Sequence, residues 1–97
     1  MPDELFDLSG KVALMTGSGG GLGFVIARGL ARAGAEIVLN GRTEEKLQGA
    51  ITRLKNDGLG ASYCVADITE EDQIDRMVST VEDDIGPIDI LVNNAGL

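Results

Sequence analysis

Thr16-Gly17-Ser18-Gly19-Gly20-Gly21-Leu22-Gly23 follows the apolar run Val12-Ala13-Leu14-Met15 and opens an amphipathic stretch from Leu22 to Ala33. A strand that stops at glycines and restarts as a helix directs several backbone N–H groups at one point in space. The positive end of the helix dipole points there too, which suits a phosphate. Glycine is needed because a side chain would block close approach of a diphosphate, and because the turn is expected to use φ > 0. The spacing is G-x-x-x-G-x-G over Gly17, Gly21 and Gly23, preceded by threonine, and does not fit G-x-G-x-x-G read literally. A P-loop is excluded, since no G-K-[ST] closes the run to place a lysine on a β/γ-phosphate. A glycine cluster alone equally makes a plain loop, so its surroundings decide.

Those surroundings alternate between two periods. A nearly continuous apolar run over residues 11–16 predicts a strand buried on both faces. Residues 22–33 predict a helix with Leu22, Ile26, Leu30 and Ala33 on one side and Gly34 as its stop. A second strand is predicted over 36–40. A helix capped by Thr43 follows, its inner positions Leu47, Ala50, Ile51 and Leu54 at i, i+3, i+4 and i+7, ended by Gly58 and Gly60. Residues 62–66 predict a third strand. Thr69 is read as the cap of a third helix, with Asp72 as capping-box partner and a buried stripe of Ile74, Met77, Val78, Val81 and Ile85. Gly86-Pro87 stops that helix, and 88–92 predict a fourth strand. The pattern βαβαβαβ implies an α/β fold of Rossmann type, a doubly wound parallel sheet with right-handed crossovers and strand order 3-2-1-4. A ligand then belongs beyond the carboxyl ends of the strands, where the order reverses. Gly17 to Gly23, Asn40-Gly41-Arg42, Asp67-Ile68 and Asn93-Asn94-Ala95-Gly96 follow the four strands in turn, so all four groups fall on one edge.

Bulk composition narrows the function. The 97 residues, 43% apolar, amount to one dinucleotide-binding domain over 1–97 that is expected to be truncated after the fourth strand. Eight basic against sixteen acidic residues, net −8, argue against nucleic-acid and anionic-membrane partners. The excess acid in Glu70-Glu71-Asp72 and Glu82-Asp83-Asp84 reads as solvated helix face. Cys64 is the single cysteine and no histidine is present. Cys64 therefore reads as core packing, and Ser-His-Asp, Cys-His and His-ligated metal schemes are excluded; no metal site is expected. Pro2-Asp3-Glu4 is acidic where a signal peptide would be basic, and no run is apolar enough to span a membrane, so a cytoplasmic protein is expected.

These residues resemble the short-chain dehydrogenase/reductase family. Thr16 to Gly23 is similar to its T-G-x-x-x-G-[hydrophobic]-G motif, Asn93 to Gly96 to its N-N-A-G, and Asp67-Ile68 to its aspartate after the third strand. The lead-in Leu8-Ser9-Gly10-Lys11-Val12-Ala13-Leu14 is family-like as well. The resemblance implies a nicotinamide dinucleotide as ligand. Gly17, Ser18, Gly19, Gly20, Gly21, Leu22 and Gly23 would line its adenosine and diphosphate half. Asp67 and Ile68 would meet the adenine, while Asn94, Ala95 and Gly96 would lie along the adenosine ribose. The blander readings are a helix N-terminal charge for Asp67 and a turn former for Asn93.

The 2′ position of that ribose separates NAD from NADP. An Asp or Glu after the second strand would hold the ribose hydroxyls and repel a 2′-phosphate. Asn40 is read as occupying that position, and Arg42 follows with a permanent charge able to clamp a phosphate. This favours NADP. Arg42 could instead pair with Glu45, and Gly20 stands where the family carries a second basic residue, so NAD stays open.

The family's chemistry uses a tyrosine, a lysine four residues later, and an upstream serine and asparagine. Tyr63 is followed four residues on by Asp67 and is read as packing. No catalytic residue is therefore assigned; these are expected downstream of Leu97, and the 97-residue chain is expected to be inactive alone and to aggregate or melt readily. The resemblance implies an NAD(P)-dependent oxidoreductase moving hydride between nicotinamide and a small alcohol or carbonyl substrate, and a homo-oligomer for the complete protein. A non-catalytic dinucleotide-binding module is the alternative. Phe6-Asp7-Leu8-Ser9-Gly10-Lys11, Gly21-Leu22-Gly23-Phe24 and Leu39-Asn40-Gly41-Arg42 are similar to gluconate 5-dehydrogenases and related sugar-acid reductases, which implies a sugar acid such as gluconate.

Overall fold

Every residue of β1 (Val12–Thr16) is buried, as a strand covered on both faces requires. The computed structural model describes residues 7–17 and 21–93. In it β1 is followed by α1 (Gly21–Arg32), β2 (Glu36–Gly41), α2 (Glu44–Asn56), β3 (Ala61–Val65), α3 (Glu71–Asp84) and β4 (Ile90–Asn93). The four strands form one sheet in the order β3-β2-β1-β4, with every neighbouring pair parallel. This is the α/β arrangement and the strand order read from the sequence.

The strands alternate between two apolar layers. Ala13, Met15, Ile37 and Leu39 face α1 and α2 through Phe24, Ala27, Ala31, Leu47, Ala50 and Leu54. Val12, Leu14 and Val38 face the other way, onto Met77 and Val81 of α3. Helices thus cover both faces, which is why β1 and β2 carry no polar alternation. Leu47 and Leu54 are fully buried, and each such side chain contributes roughly 1.5–3 kcal/mol.

α1 docks by a different face from the one its large residues suggest. Its buried residues are Gly23, Phe24, Ala27 and Ala31. Ile26 and Leu30 are half-buried on the flank, and Leu22 is 61% exposed. Small residues let the helix axis approach the sheet, so the closest stripe is written in glycine and alanine, and a pattern weighted by bulk misses it. Two caps differ as well. Thr43 is at the N-cap of α2 but its side chain makes no capping bond. α3 starts one residue later than expected, with Glu70 at the N-cap. The Thr69 hydroxyl donates to Asp67 instead, and Asp72 pairs with Arg76 on the surface.

The helix stops are as the glycines imply. After α2 the Gly58 N–H donates to Lys55 O and the Leu59 N–H to Leu54 O, and after α1 Gly34 and Ala35 repeat the pattern on Ala31 and Leu30. Gly34 is required twice over: its φ is +104°, and a Cβ there would lie 2.8 Å from Ser9 Oγ. Asp89 fixes the entry of β4. Its carboxylate accepts the Val12 N–H at 2.9 Å while its own N–H donates to Val12 O.

Candidate functional site

Parallel strands in register end together, so whatever follows each strand collects on one edge of the sheet. Thr16 of β1 lies opposite Asn93 of β4, and Gly41 of β2 lies opposite Val65 of β3. The edge therefore carries Gly17, Gly41-Arg42, Ala66-Asp67 and Asn93 in one row. The strand order reverses between β1 and β4, and a crevice opens outside the strand ends at such a point.

At that point Thr16 closes the gap. Its hydroxyl donates to Asn93 Oδ1 at 3.0 Å and lies 3.4 Å from Val92 O. Gly17 turns the chain with φ +64°, the left-handed conformation that a glycine tolerates without strain. α1 then begins at Gly21, also at positive φ, with Leu22 exposed and Gly23 buried. Ser18, Gly19, Gly20, Asn94, Ala95 and Gly96 lie outside the described residues. The threonine preceding the glycines is the available signal for its link to Asn93, and it carries no role in the sequence reading.

At the β2 end the observed and expected positions differ. Asn40 is 1% exposed, and its amide donates to Cys64 O at 3.1 Å and Ala66 O at 3.2 Å. It ties the end of β2 to the end of β3 from within the fold. The reason is the two-residue period of a strand: Asn40 points into the fold, and the open position is Gly41. Gly41 and Arg42 line an open hollow of about 300 Å³ with Gly17, Thr43, Lys46 and Leu47. Arg42 is exposed and makes no ion pair with Glu45. Lys46, one turn into α2, carries no signal in the sequence reading beyond its charge.

Asp67 follows β3 in a tight turn. Its Oδ1 accepts the Thr69 N–H at 2.9 Å and the Thr69 hydroxyl at 2.7 Å, and its own N–H donates to Gln73 Oε1 at 2.7 Å. Gln73 is a positioning residue the sequence does not reveal, because its bond skips back over the start of α3. Ile68 is half-buried and packs on the layer under α3. The Thr69 bonds, chiefly that from its hydroxyl, hold the Asp67 carboxyl below its ordinary 3.8, and the Arg42 charge adds to the effect. A depressed folded value means this contribution is present above the unfolded value of 3.8 and is lost as pH falls through the folded one. In Thr69→Val the Asp67 carboxyl therefore titrates closer to 3.8 than in the wild type. Carbon NMR of the side-chain carboxyl reads this directly, and an unmoved titration would remove the hydroxyl as the cause.

Tyr63 matches its reading as packing, being half-buried against the core beside α2. Its hydroxyl also donates to Glu44 Oε2 at 2.8 Å and accepts from Gln48 Nε2. Cys64 is half-buried too, and burial pushes its thiol up, which suits an unreactive side chain. Among the described residues no group of acidic, cysteine or histidine side chains could hold a metal ion. No helix among them is long and apolar enough to cross a membrane.

Known proteins carry the same arrangement. The family model for short chain dehydrogenase matches residues 11–97. Gluconate 5-dehydrogenase of Gluconobacter oxydans (strain 621H) is 51% identical over 94 residues, covering 97% of this chain and 37% of that protein. The crystal structure of 2-keto-3-deoxy-D-gluconate dehydrogenase from Streptococcus agalactiae superposes with a TM-score of 0.90 at 50% identity, over 95% of this chain and 35% of that one. The gluconate 5-dehydrogenase from Burkholderia cenocepacia J2315, solved in complex with NADP and tartrate, gives 0.88 at 45% identity, over 100% of this chain and 38% of that one. The chain spans a little over a third of the length of the curated relatives it matches, 37% for the first three.

Proposed function

The chain belongs to the short chain dehydrogenase family, and on that premise we propose that it is the dinucleotide-binding part of an NADP-preferring oxidoreductase acting on a sugar acid. Hydride passes between the nicotinamide and an alcohol or carbonyl carbon of the substrate. The chain's own residues bind and orient the dinucleotide. Gly17 to Gly23 receive the diphosphate, Asp67 and Ile68 the adenine, and Asn94, Ala95 and Gly96 the adenosine ribose. The tyrosine with a lysine four residues later that the family resemblance implies is not found in this sequence, where Tyr63 is followed four residues on by Asp67. The sugar-acid class is supported by relatives near 50% identity, a gluconate 5-dehydrogenase and a 2-keto-3-deoxy-D-gluconate dehydrogenase. A cytoplasmic location belongs to the same reading, and family resemblance supports a homo-oligomer for the complete protein.

The observation that carries the cofactor preference is the hollow at the β2 end. Gly41 offers no carboxylate there to hold ribose hydroxyls, and Arg42 stands beside it, forming no ion pair among the described residues. An arginine on phosphate is a charge-assisted contact of about 1.5–3 kcal/mol. Arg42→Ala in the full-length protein is therefore expected to lower NADP affinity about ten- to a hundredfold and leave NAD affinity nearly unchanged. Calorimetric titration with both dinucleotides tests this. An unchanged NADP-to-NAD ratio would defeat the assignment, and no uptake of either would defeat the whole reading.

A further inference from the structure

We infer that Lys46 is a second specificity-determining cation, which meets the 2′-phosphate of NADP together with Arg42. The inference rests on the dinucleotide reading above and adds to it a residue one helical turn away.

Four observations carry it. Lys46 lines the same hollow as Arg42, with Gly17 and Gly41 between the end of β1 and the start of α2. Among the described residues neither Lys46 nor Arg42 forms an ion pair, while Arg28 and Arg76 do. Glu44, two residues away on that turn, is drawn away, since its carboxylate accepts the Tyr63 hydroxyl at 2.8 Å, and the adjacent Glu45 is exposed and forms an ion pair with neither cation. Asp67, whose carboxyl senses the Arg42 charge, is itself held by Thr69 at 2.7 Å. Two cations thus share one small hollow in a chain of net charge −8, with the Glu44 and Asp67 carboxylates held by other groups. A dianionic monoester phosphate has three oxygens to share between them, and the repulsion between the two cations is relieved only when an anion sits there. A dinucleotide lacking that phosphate gains nothing from Lys46.

Lys46→Met keeps most of the aliphatic stem and removes the charge; Lys46→Arg restores it. In the full-length protein, affinities for NADP, NAD, adenosine 2′,5′-bisphosphate and adenosine 5′-monophosphate are measured by calorimetry at two salt concentrations. Lys46→Met is expected to weaken the two 2′-phosphorylated ligands about fivefold, to leave the other two unchanged, and to flatten the salt dependence. Lys46→Arg is expected to recover most of the loss. A wild-type protein with no preference for the 2′-phosphate overturns the cofactor reading itself. A wild type that has the preference and a Lys46→Met that keeps it overturn only the role of Lys46. Equal weakening of all four ligands also overturns it, since that is the mark of a structural role.

Discussion

Gly41→Asp in the full-length protein is expected to invert cofactor preference, moving the NADP-to-NAD affinity ratio by about a hundred- to a thousandfold toward NAD. Gly41 is the open position at the end of β2, in the hollow with Arg42 and Lys46. A carboxylate there meets the adenosine ribose of NAD with a charged hydrogen bond of about 1.5–3 kcal/mol. The same carboxylate meets the 2′-phosphate of NADP as a like charge, and Arg42 turns to the new acid. Both effects act in one direction. The backbone tolerates the change, because Gly41 is not among the glycines at positive φ. The added Cβ would lie 3.3 Å from Leu47 Cδ2, so Leu47 must yield by a few tenths of an ångström. That crowding costs about 1 kcal/mol of stability, which a thermal melt registers separately from binding. Asn40 is the contrasting position: its buried amide donates to the Cys64 and Ala66 carbonyl oxygens, so a carboxylate put there would be set against two acceptors and would unsettle the fold instead of switching the cofactor. If Gly41→Asp folds and the ratio stays put, the hollow is not where the ribose lies.

That contrast shows where sequence patterning stops. The strand order and the common edge were legible because β1 and β2 are buried on both faces and the helices end at glycines, so each signal is local and has one reading. Which of two adjacent residues at a strand end faces out is a question of phase. Asn40 and Gly41 are separated by one step of a two-residue period, and only the bonds from Asn40 to β3 fix it. Phase also misleads in α1, where Gly23, Phe24, Ala27 and Ala31 form the contact and Leu22 and Val25 are left exposed. Lys46 and Gln73 are invisible for another reason. Each acts across a turn on a partner fixed by the tertiary fold: a hollow with β1 in one case, the Asp67 N–H in the other. Composition cannot encode those meetings.

Phe24→Ala is expected to destabilise the fold by about 3–5 kcal/mol, read as the urea midpoint and slope of the full-length protein. Phe24 is 3% exposed in the layer between α1, α2 and the sheet. Its ring also lies under two cations: Arg53 Cζ from α2 stands 3.9 Å from the centroid and Arg28 Cζ 5.9 Å. Arg28 in turn reaches Asp57 beyond α2 at 3.8 Å. Phe24 is therefore both a core filler and the point where the two helices are joined. Comparison with Phe24→Leu separates the two roles, since leucine keeps most of the volume and loses the ring. The residual loss, about 1–2 kcal/mol, should equal the loss in Arg53→Ala plus the repacking cost. The consequence extends to the ligand edge. α1 begins at Gly21, three residues before Phe24, so the angle at which its first turn meets a diphosphate depends on this anchor. Phe24→Ala that still folds is expected to weaken NADP and NAD alike, unlike any change at Gly41, Arg42 or Lys46. A variant within 1 kcal/mol of wild type, or one that altered only the NADP-to-NAD ratio, would show that α1 is held in place by something other than this ring.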